Sequence, residues 1–528
     1  VTLLSKMANF IPDAGIWMNT QRPEWNDANN ALVGTGVSVV TLCYLHRFLN
    51  RAVALFDGLD EAEVKLSKEV ADFMSEVASV LEHHTSSIGS GPVGDEVRKQ
   101  VMEAFGTAAE RYREGIYAHG FSAEKVSVPL EQVSHFLTQA RDVSAVSIKS
   151  NRREDGLYHA YNRISVGPVG VEIRYLYEML EGQVAVLSSE LLSPEESLSV
   201  LTTLRDSSLY TARQHSYLLY PDRRLPSFME RNMIPDAFVK SSSLASRLVA
   251  AGDTSLLETD QAGQTYFAGH FNNTAAVADT LTQLANAGYR QEVDLEREAI
   301  EFLFSDLFDC ANFTGRSGGM YAYEGLGSIY WHMVSKLLLA VMETVKRAEQ
   351  SGAPADVMGG LKGVYYDVRE GIGFNKTPDV YGAFPTDPYS HTPGFSGARQ
   401  PGMTGQVKEE VLTRLLELGI TVDHAQVTFN PTMLRASEFL QADEDLHYFD
   451  TAGTPQFLTL SRGQLGFTYC QVPVVMSLAS QPSIRIHWAD GTDLSVEGRT
   501  LSAEQSEALF KKTGAIARLD VFADQVIK

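Results

Sequence analysis

The chain has 528 residues, 44% of them apolar and 21% charged, enough to bury a large core or to divide into two or more domains. Its formal net charge of −22 excludes a surface built to neutralise nucleic-acid phosphates and disfavours anionic membranes. Cys43, Cys310 and Cys470 are too widely spaced for a zinc or redox motif and suit buried thiols in a reducing, cytoplasmic compartment.

The chain opens with Val1 inside an expected helix over 3–10, and is expected to be the C-terminal part of something longer. No signal peptide is visible. The most apolar stretch, 32–45, contains two glycines and is too short to span a bilayer. Before it stands Glu24-Trp25-Asn26-Asp27, where a Pro- and Asn-rich loop meets an expected helix over 31–49. Such a group suits a sugar. The indole stacks on the ring, the amides bind hydroxyls, and one acid can protonate a glycosidic oxygen. The alternative is that Asn26, Asp27 or Asn29 caps the helix.

Helical spacing of apolar residues follows over 61–81, 95–117, 129–140, 195–219, 274–287 and 293–308. It returns over 329–345, 355–371 and 406–418. Ser193-Pro194-Glu195-Glu196 is a helix start and Gly419 a helix stop. His83-His84 reads as a solvated helix end. Tyr158-His159-Ala160-Tyr161-Asn162-Arg163 can line a sugar groove or simply pack. Gln214-His215 has a better claim, because Tyr217, Tyr220, Arg223 and Arg224 follow. Two long stretches, 217–235 with Asp222 and Glu230, and 371–405, read as ordered loops. Loops of that length in a compact domain are usually functional or disordered, and the aromatic content of 371–405 argues for order.

A Gly-rich run, 316–328, carries Glu324 and leads into the helix expected at 329, whose first turn holds His332. Free N–H groups and the dipole at a helix start favour an anion; tight helix packing explains the glycines equally well. Thr404-Gly405 opens the 406–418 helix, either as a cap or as a second anion ligand. No Gly-Lys-Ser/Thr phosphate loop, HExxH or GxSxG is present.

After residue 420 the pattern changes to alternation over 425–429, 456–460, 466–475 and 483–488, with a hairpin turn at Gly491. The expectation is a mainly α protein: a helical region over 1–420, then a small all-β domain over 421–528. Paired helices ahead of a β domain suggest an α/α toroid, with an irregular α-solenoid as the alternative.

Taken in order, these segments resemble the inverting glycoside phosphorylases with an (α/α)6 toroid, the cellobiose and cellodextrin phosphorylase group. Glu24-Trp25-Asn26-Asp27 resembles their Asp-Trp-Asn-Asp, whose last residue is the general acid. Ile329-Tyr330-Trp331-His332 resembles their Gln/Ile-Tyr-Thr-His, whose His contacts phosphate. Thr404-Gly405 resembles the Thr/Ser-Gly pair that completes the phosphate site. Glu24 stands for an Asp and Trp331 for a Thr. The interval from Asp27 to His332 is longer than in the compact cellobiose enzymes, and is more similar to that of the oligoglucan phosphorylases, β-1,3 first and β-1,2 next. The family's N-terminal β domain and first toroid helices, which supply part of the donor-sugar site there, are expected to be absent from this chain.

The resemblance implies that Asp27 acts as acid, that Glu24, Trp25 and Glu324 contact substrate, and that His332, Thr404 and Gly405 hold phosphate. Phosphate is then a co-substrate, an oligosaccharide the partner, and neither metal nor organic cofactor is needed. A homodimer is an open expectation. An inverting hydrolase on the same fold is the enzymatic rival, with Glu324 activating water. A carbohydrate-binding helical scaffold is the non-enzymatic one.

Overall fold

The computed structural model describes residues 1–19, 32, 34–89, 91–222, 226–308, 327–372, 377, 392–393 and 407–527. About half of the chain is helical, and the C-terminal region is rich in strands. Two compact units are present: Val1–Met333 with Phe374–Pro401, and Val334–Gly373 with Gly402–Lys528. The β-rich region expected over 421–528 therefore shares its compact unit with the helices over 334–372 and 407–417.

The first unit is less purely helical than its periodicity predicts. Phe10–Ile11, Gly15–Trp17, Gly36–Ser38, Tyr161–Val166 and Val171–Tyr175 form one antiparallel sheet in chain order. Its core face holds Ile11, Ala14, Val37, Ile164 and Val171, with Met102 of the Asp95–His119 helix against it. The buried Arg98 of that helix donates to Pro12 O at 3.0 Å and to Val171 O at 2.6 Å, fastening helix to sheet. A second antiparallel pair, Glu63–Ser67 with Lys125–Pro129, takes the first residues of the window read as helix over 61–81, so that helix begins at Lys68 and runs to Gly89.

The apolar helix expected over 31–49 is Val39–Asp57. It starts later than its apolar pattern does because Gly36–Ser38 pairs into the sheet, and Ser38 Oγ accepts the Thr41 N–H at 2.9 Å as its cap. Asn26, Asp27 and Asn29 therefore do not cap it. By length and composition this helix could cross a membrane, but Leu42, Cys43, His46 and Leu49 are buried. It packs against Leu130–Ser150 and Leu180–Ser188 as a core helix. The helix read over 195–219 is Pro194–Asp206, opened by the expected Ser193–Glu196 capping box. It stops because 207–219 turns into the short hairpin Tyr210–Thr211 with Ser216–Tyr217.

Residues 228–308 carry a core of their own. The short helices Phe228–Arg231, Asp236–Ser241 and Ser243–Ala251 precede the hairpin Leu257–Thr259 with Thr265–Phe267. The helices Thr274–Leu284 and Arg290–Phe308 then close over Leu248, Phe267, Phe271, Leu281 and Phe304. Phe267, Phe271 and Phe308 crowd round Phe304 at 4.7–6.1 Å between ring centres.

In the second unit, Ala355–Ile372 and Val407–Glu417 are bound by a buried polar network. Glu417, only 1% exposed, accepts from the Tyr365 hydroxyl and pairs with Arg414 at 2.8 Å and Arg369 at 3.2 Å. Burial first, then the negative charge of Glu417, pushes the Tyr365 hydroxyl far above its usual value. Gly419 follows the end of the second helix, as expected. The largest sheet beyond it runs Gln464–Tyr469, Val472–Leu478, Ile516–Ala523, Ser483–Trp488, Asp493–Glu497. The run read as one strand over 466–475 is a hairpin, turned by Cys470 and Gln471 at φ +51° and +65°. The turn at Gly491 is where the sequence places it. The sheet's last strand pairs parallel to Val472–Leu478, which the helix Ala503–Phe510, unpredicted from the sequence, makes sterically reachable.

Candidate functional site

Glu24, Trp25 and Asp27 lie outside the described residues, but the frame around them is described. Gly15–Trp17 and Gly36–Ser38 pair antiparallel, and Met18 and Gly34 extend the ladder, with Gly34 N–H donating to Met18 O at 2.7 Å. The segment bearing the expected acid thus leaves and re-enters the sheet at neighbouring points. At Gly36 a Cβ would fall 2.3 Å from Leu32 Cβ, a distance no side chain tolerates. Glycine there lets the returning chain fold back onto its own strand.

Cross-strand pairing says which residues share that face. Gly36 stands opposite Arg163 and Ser38 opposite Tyr161, and directly opposed residues point the same way. Tyr161 and Arg163 therefore lie on the face to which Leu32 returns, and Asn162 and Ile164 on the core face. Asn162 is locked there, donating to Asn151 Oδ1 at 2.6 Å and to Ala14 O at 3.0 Å. All six residues of the 158–163 group are buried, with Tyr161 and Arg163 on one face of the sheet and Asn162 on the other.

His159 belongs with the packing. It is buried, stacks on Tyr175 at 4.5 Å and contacts Leu176 O through Nδ1 at 3.2 Å. Burial, then the Arg153 guanidinium, holds its imidazole down at about 4 from an ordinary 6.5. The unfolded chain therefore takes up this proton before the folded one, and protonation favours unfolding. Stability is expected to decline as pH falls from 6.5 towards about 4. Urea melts of His159→Phe across that range should show a shallower decline; an identical acid limb would assign it to other groups.

The Tyr161 hydroxyl donates to Glu181 Oε2 at 2.9 Å. Glu181 stands in the first turn of Leu180–Ser188, whose Leu180 N–H donates to Leu219 O at 3.0 Å. Leu219 N–H donates in turn to Ser328 O at 2.8 Å, and Leu218 bridges to Ile329. On its other edge Ser328–Ile329 pairs with Thr392–Pro393. Segments from all three long loops singled out in the sequence thus form one backbone ladder, immediately before His332.

Gly327 opens that ladder at φ +64°, and a Cβ there would meet Asp222 Oδ1 at 2.8 Å. Both the left-handed backbone and the packed carboxylate require glycine. Tyr330 and Trp331 are buried, Trp331 almost completely. His332 is half-buried in the first turn of Trp331–Ser351, with the Tyr330 hydroxyl 3.4 Å from its Nδ1. It does not lie in a sealed apolar core.

Gln214 is buried, and His215 sits in the turn of the Tyr210–Tyr217 hairpin at φ +44°. Glu230 caps the Phe228–Arg231 helix, accepting the Ser227 N–H at 2.6 Å. Arg223, Arg224, Glu324, Thr404 and Gly405 lie outside the described residues. Among the described residues no cluster of three or more His, Cys, Asp or Glu side chains is arranged for a metal, and Cys43 and Cys470 are free thiols. Glu181 is the residue that sequence reasoning missed. It sits within a short apolar helix with no motif around it, and its contact with the Tyr161 hydroxyl is the feature that the structure adds.

Residues 225–311 match the family model described as GH149 phosphorylase insertion domain 2. The matched segment coincides with the self-contained core over 228–308 and supports a glycoside phosphorylase. No curated protein sequence matches the chain.

Proposed function

We propose that this chain catalyses reversible, inverting phosphorolysis of β-glucan oligosaccharides, β-1,3-linked first and β-1,2-linked next, with release of α-glucose 1-phosphate. The observation that carries the reading is the match of 225–311 to an insertion domain of GH149 phosphorylases. The motif order around it, Asp27, then His332, then Thr404-Gly405, supports the same reading. Asp27 protonates the departing glycosidic oxygen, and phosphate attacks the anomeric carbon from the opposite face. The phosphate anion needs no general base; it needs a cradle, supplied by His332, Thr404 and the Gly405 amide. Trp25 stacks on a sugar, and Glu24 and Glu324 bind hydroxyls. No metal enters the reaction. An (α/α)6 toroid over 1–420, a β domain over 421–528, a cytoplasmic location and a homodimer complete the proposal.

The test is release of glucose 1-phosphate from a short β-1,3-glucan with and without phosphate. Phosphate-dependent release is expected; cleavage that is equally fast without phosphate points to the hydrolase instead. His332→Ala and Thr404→Ala should each raise the KM for phosphate by roughly ten- to hundredfold, as loss of a charged hydrogen bond does. The KM for glucan should change little. If only the glucan KM moves, these residues are not the phosphate cradle.

A further inference from the structure

We infer that two copies of this chain associate by laying the exposed face of the Val39–Asp57 helix of one on the exposed face of the Arg290–Phe308 helix of the other. The inference rests on the homodimer of the reading above, not on its chemistry, and gives that homodimer a surface.

Each helix turns one face to its own core. Leu42, His46, Leu49 and Val53 are buried on the first, and Val293, Ile300 and Phe304 on the second. The opposite faces are left to solvent, yet carry large apolar side chains where a solvated helix face is polar. Phe48 is 55% and Leu55 64% exposed, and Leu295 and Phe302 are 77% and 71% exposed. In both helices the two apolar side chains stand seven residues apart, two turns along one line. In both, an exposed charge stands three residues after the first of them: Arg51 between Phe48 and Leu55, and Glu298 between Leu295 and Phe302.

The charges choose the occupant. Pairing either helix with its own copy brings Arg51 near Arg51, or Glu298 near Glu298, and exposed Asp294 and Asp306 add to the acidity of the second face. Pairing one helix with the other, side by side and running the same way, sets Phe48 on Leu295, Arg51 on Glu298 and Leu55 on Phe302. A ring then meets a smaller side chain at each end, with opposite charges between them. Arg51 holds Glu190 at 2.7 Å with 71% of its side chain exposed. So exposed a pair is weak, and the guanidinium has further N–H groups for a second carboxylate. Both faces are open within one copy, so the complementary face comes from a second copy. Two-fold symmetry makes the contact twice, once in each direction.

The test is the molar mass of the full chain by sedimentation equilibrium across a concentration series. The chain should form a dimer that weakens as salt rises. Phe302→Asp, Glu298→Arg and Arg51→Glu should each raise the dimer's Kd roughly tenfold or more, with unchanged circular dichroism. Mixing the Arg51→Glu and Glu298→Arg chains should restore the dimer, because every contact between them again pairs opposite charges. If Arg51→Glu does not fold, Phe302→Asp and Glu298→Arg decide alone. Variants that dissociate and do not recover on mixing overturn the pairing of these two helices. A dimer of undiminished strength in every variant overturns the inference and leaves the homodimer standing. A chain that is monomeric throughout overturns both. Phosphate-dependent glucan cleavage by the unsubstituted chain tests the phosphorylase reading separately.

Discussion

Asp27→Asn is expected to lower phosphorolytic turnover by about 10²- to 10⁴-fold, the usual contribution of a positioned proton donor. Asn keeps the size and polarity of the side chain but cannot donate a proton to the glycosidic oxygen. Phosphate attack still needs a leaving group, so poor alcohols should suffer most. A glucan with an activated leaving group, such as a nitrophenyl glycoside, should regain much of the lost rate. Thermal unfolding should be unchanged, since the Val39–Asp57 helix is capped by Ser38 and not by the acid segment. Near-normal turnover on unactivated glucan would transfer the acid to Glu24 or end the enzymatic reading.

Arg98→Met is expected to destabilise the first unit by about 3–5 kcal/mol, the range for breaking a buried charged network by removing one partner. The Arg98 guanidinium is buried and makes four hydrogen bonds, to Pro12 O, Val171 O, Val93 O and Asp95. Asp13 lies 3.9 Å from it, itself buried, with Oδ2 accepting from Val93 N–H and Oδ1 unpaired. Removing Arg98 strands three carbonyls and a buried carboxylate. Met fills the aliphatic stem and isolates the polar loss from the packing loss. Adding Asp13→Asn should recover part of the stability, because it removes the stranded charge. Calorimetric melts of the two single variants and the double variant read this directly. A loss within about 0.5 kcal/mol, as at an ordinary surface position, would mean that the network contributes nothing net. The consequence reaches function, because the same sheet holds both strands that flank the acid segment.

The helices legible in the sequence are those whose signals lie within one turn. Asp95–His119 and Ala355–Ile372 end within two residues of the windows that their apolar spacing defines. Pro194–Asp206 starts where Ser193 and Glu196 form a capping box. The errors share one cause. Residues 61–67 and 36–38 carry apolar spacing compatible with a helix, but they pair with strands far along the chain, Lys125–Pro129 and Tyr161–Val166. A ladder gained from a distant partner outweighs weak local helix preference, and no window around residue 36 contains Arg163.

The sequence by itself determined the helical periodicity, the capping signals, the change to strands after residue 420 and the residue types suited to sugar and phosphate. All of these are written in neighbours three or four residues apart, or two apart in a strand. Only the tertiary structure decided which of those residues share a face. It put Tyr161 and Arg163 on the sheet face opposite Asn162 and turned Asn162 inward. It joined residues 218–219, 328–329 and 392–393 ahead of His332, and it brought Glu181 to Tyr161. The physical reason is that these contacts are hydrogen bonds between backbones or side chains remote in the chain, whose partners are fixed by sheet register and packing and leave no local periodicity to read.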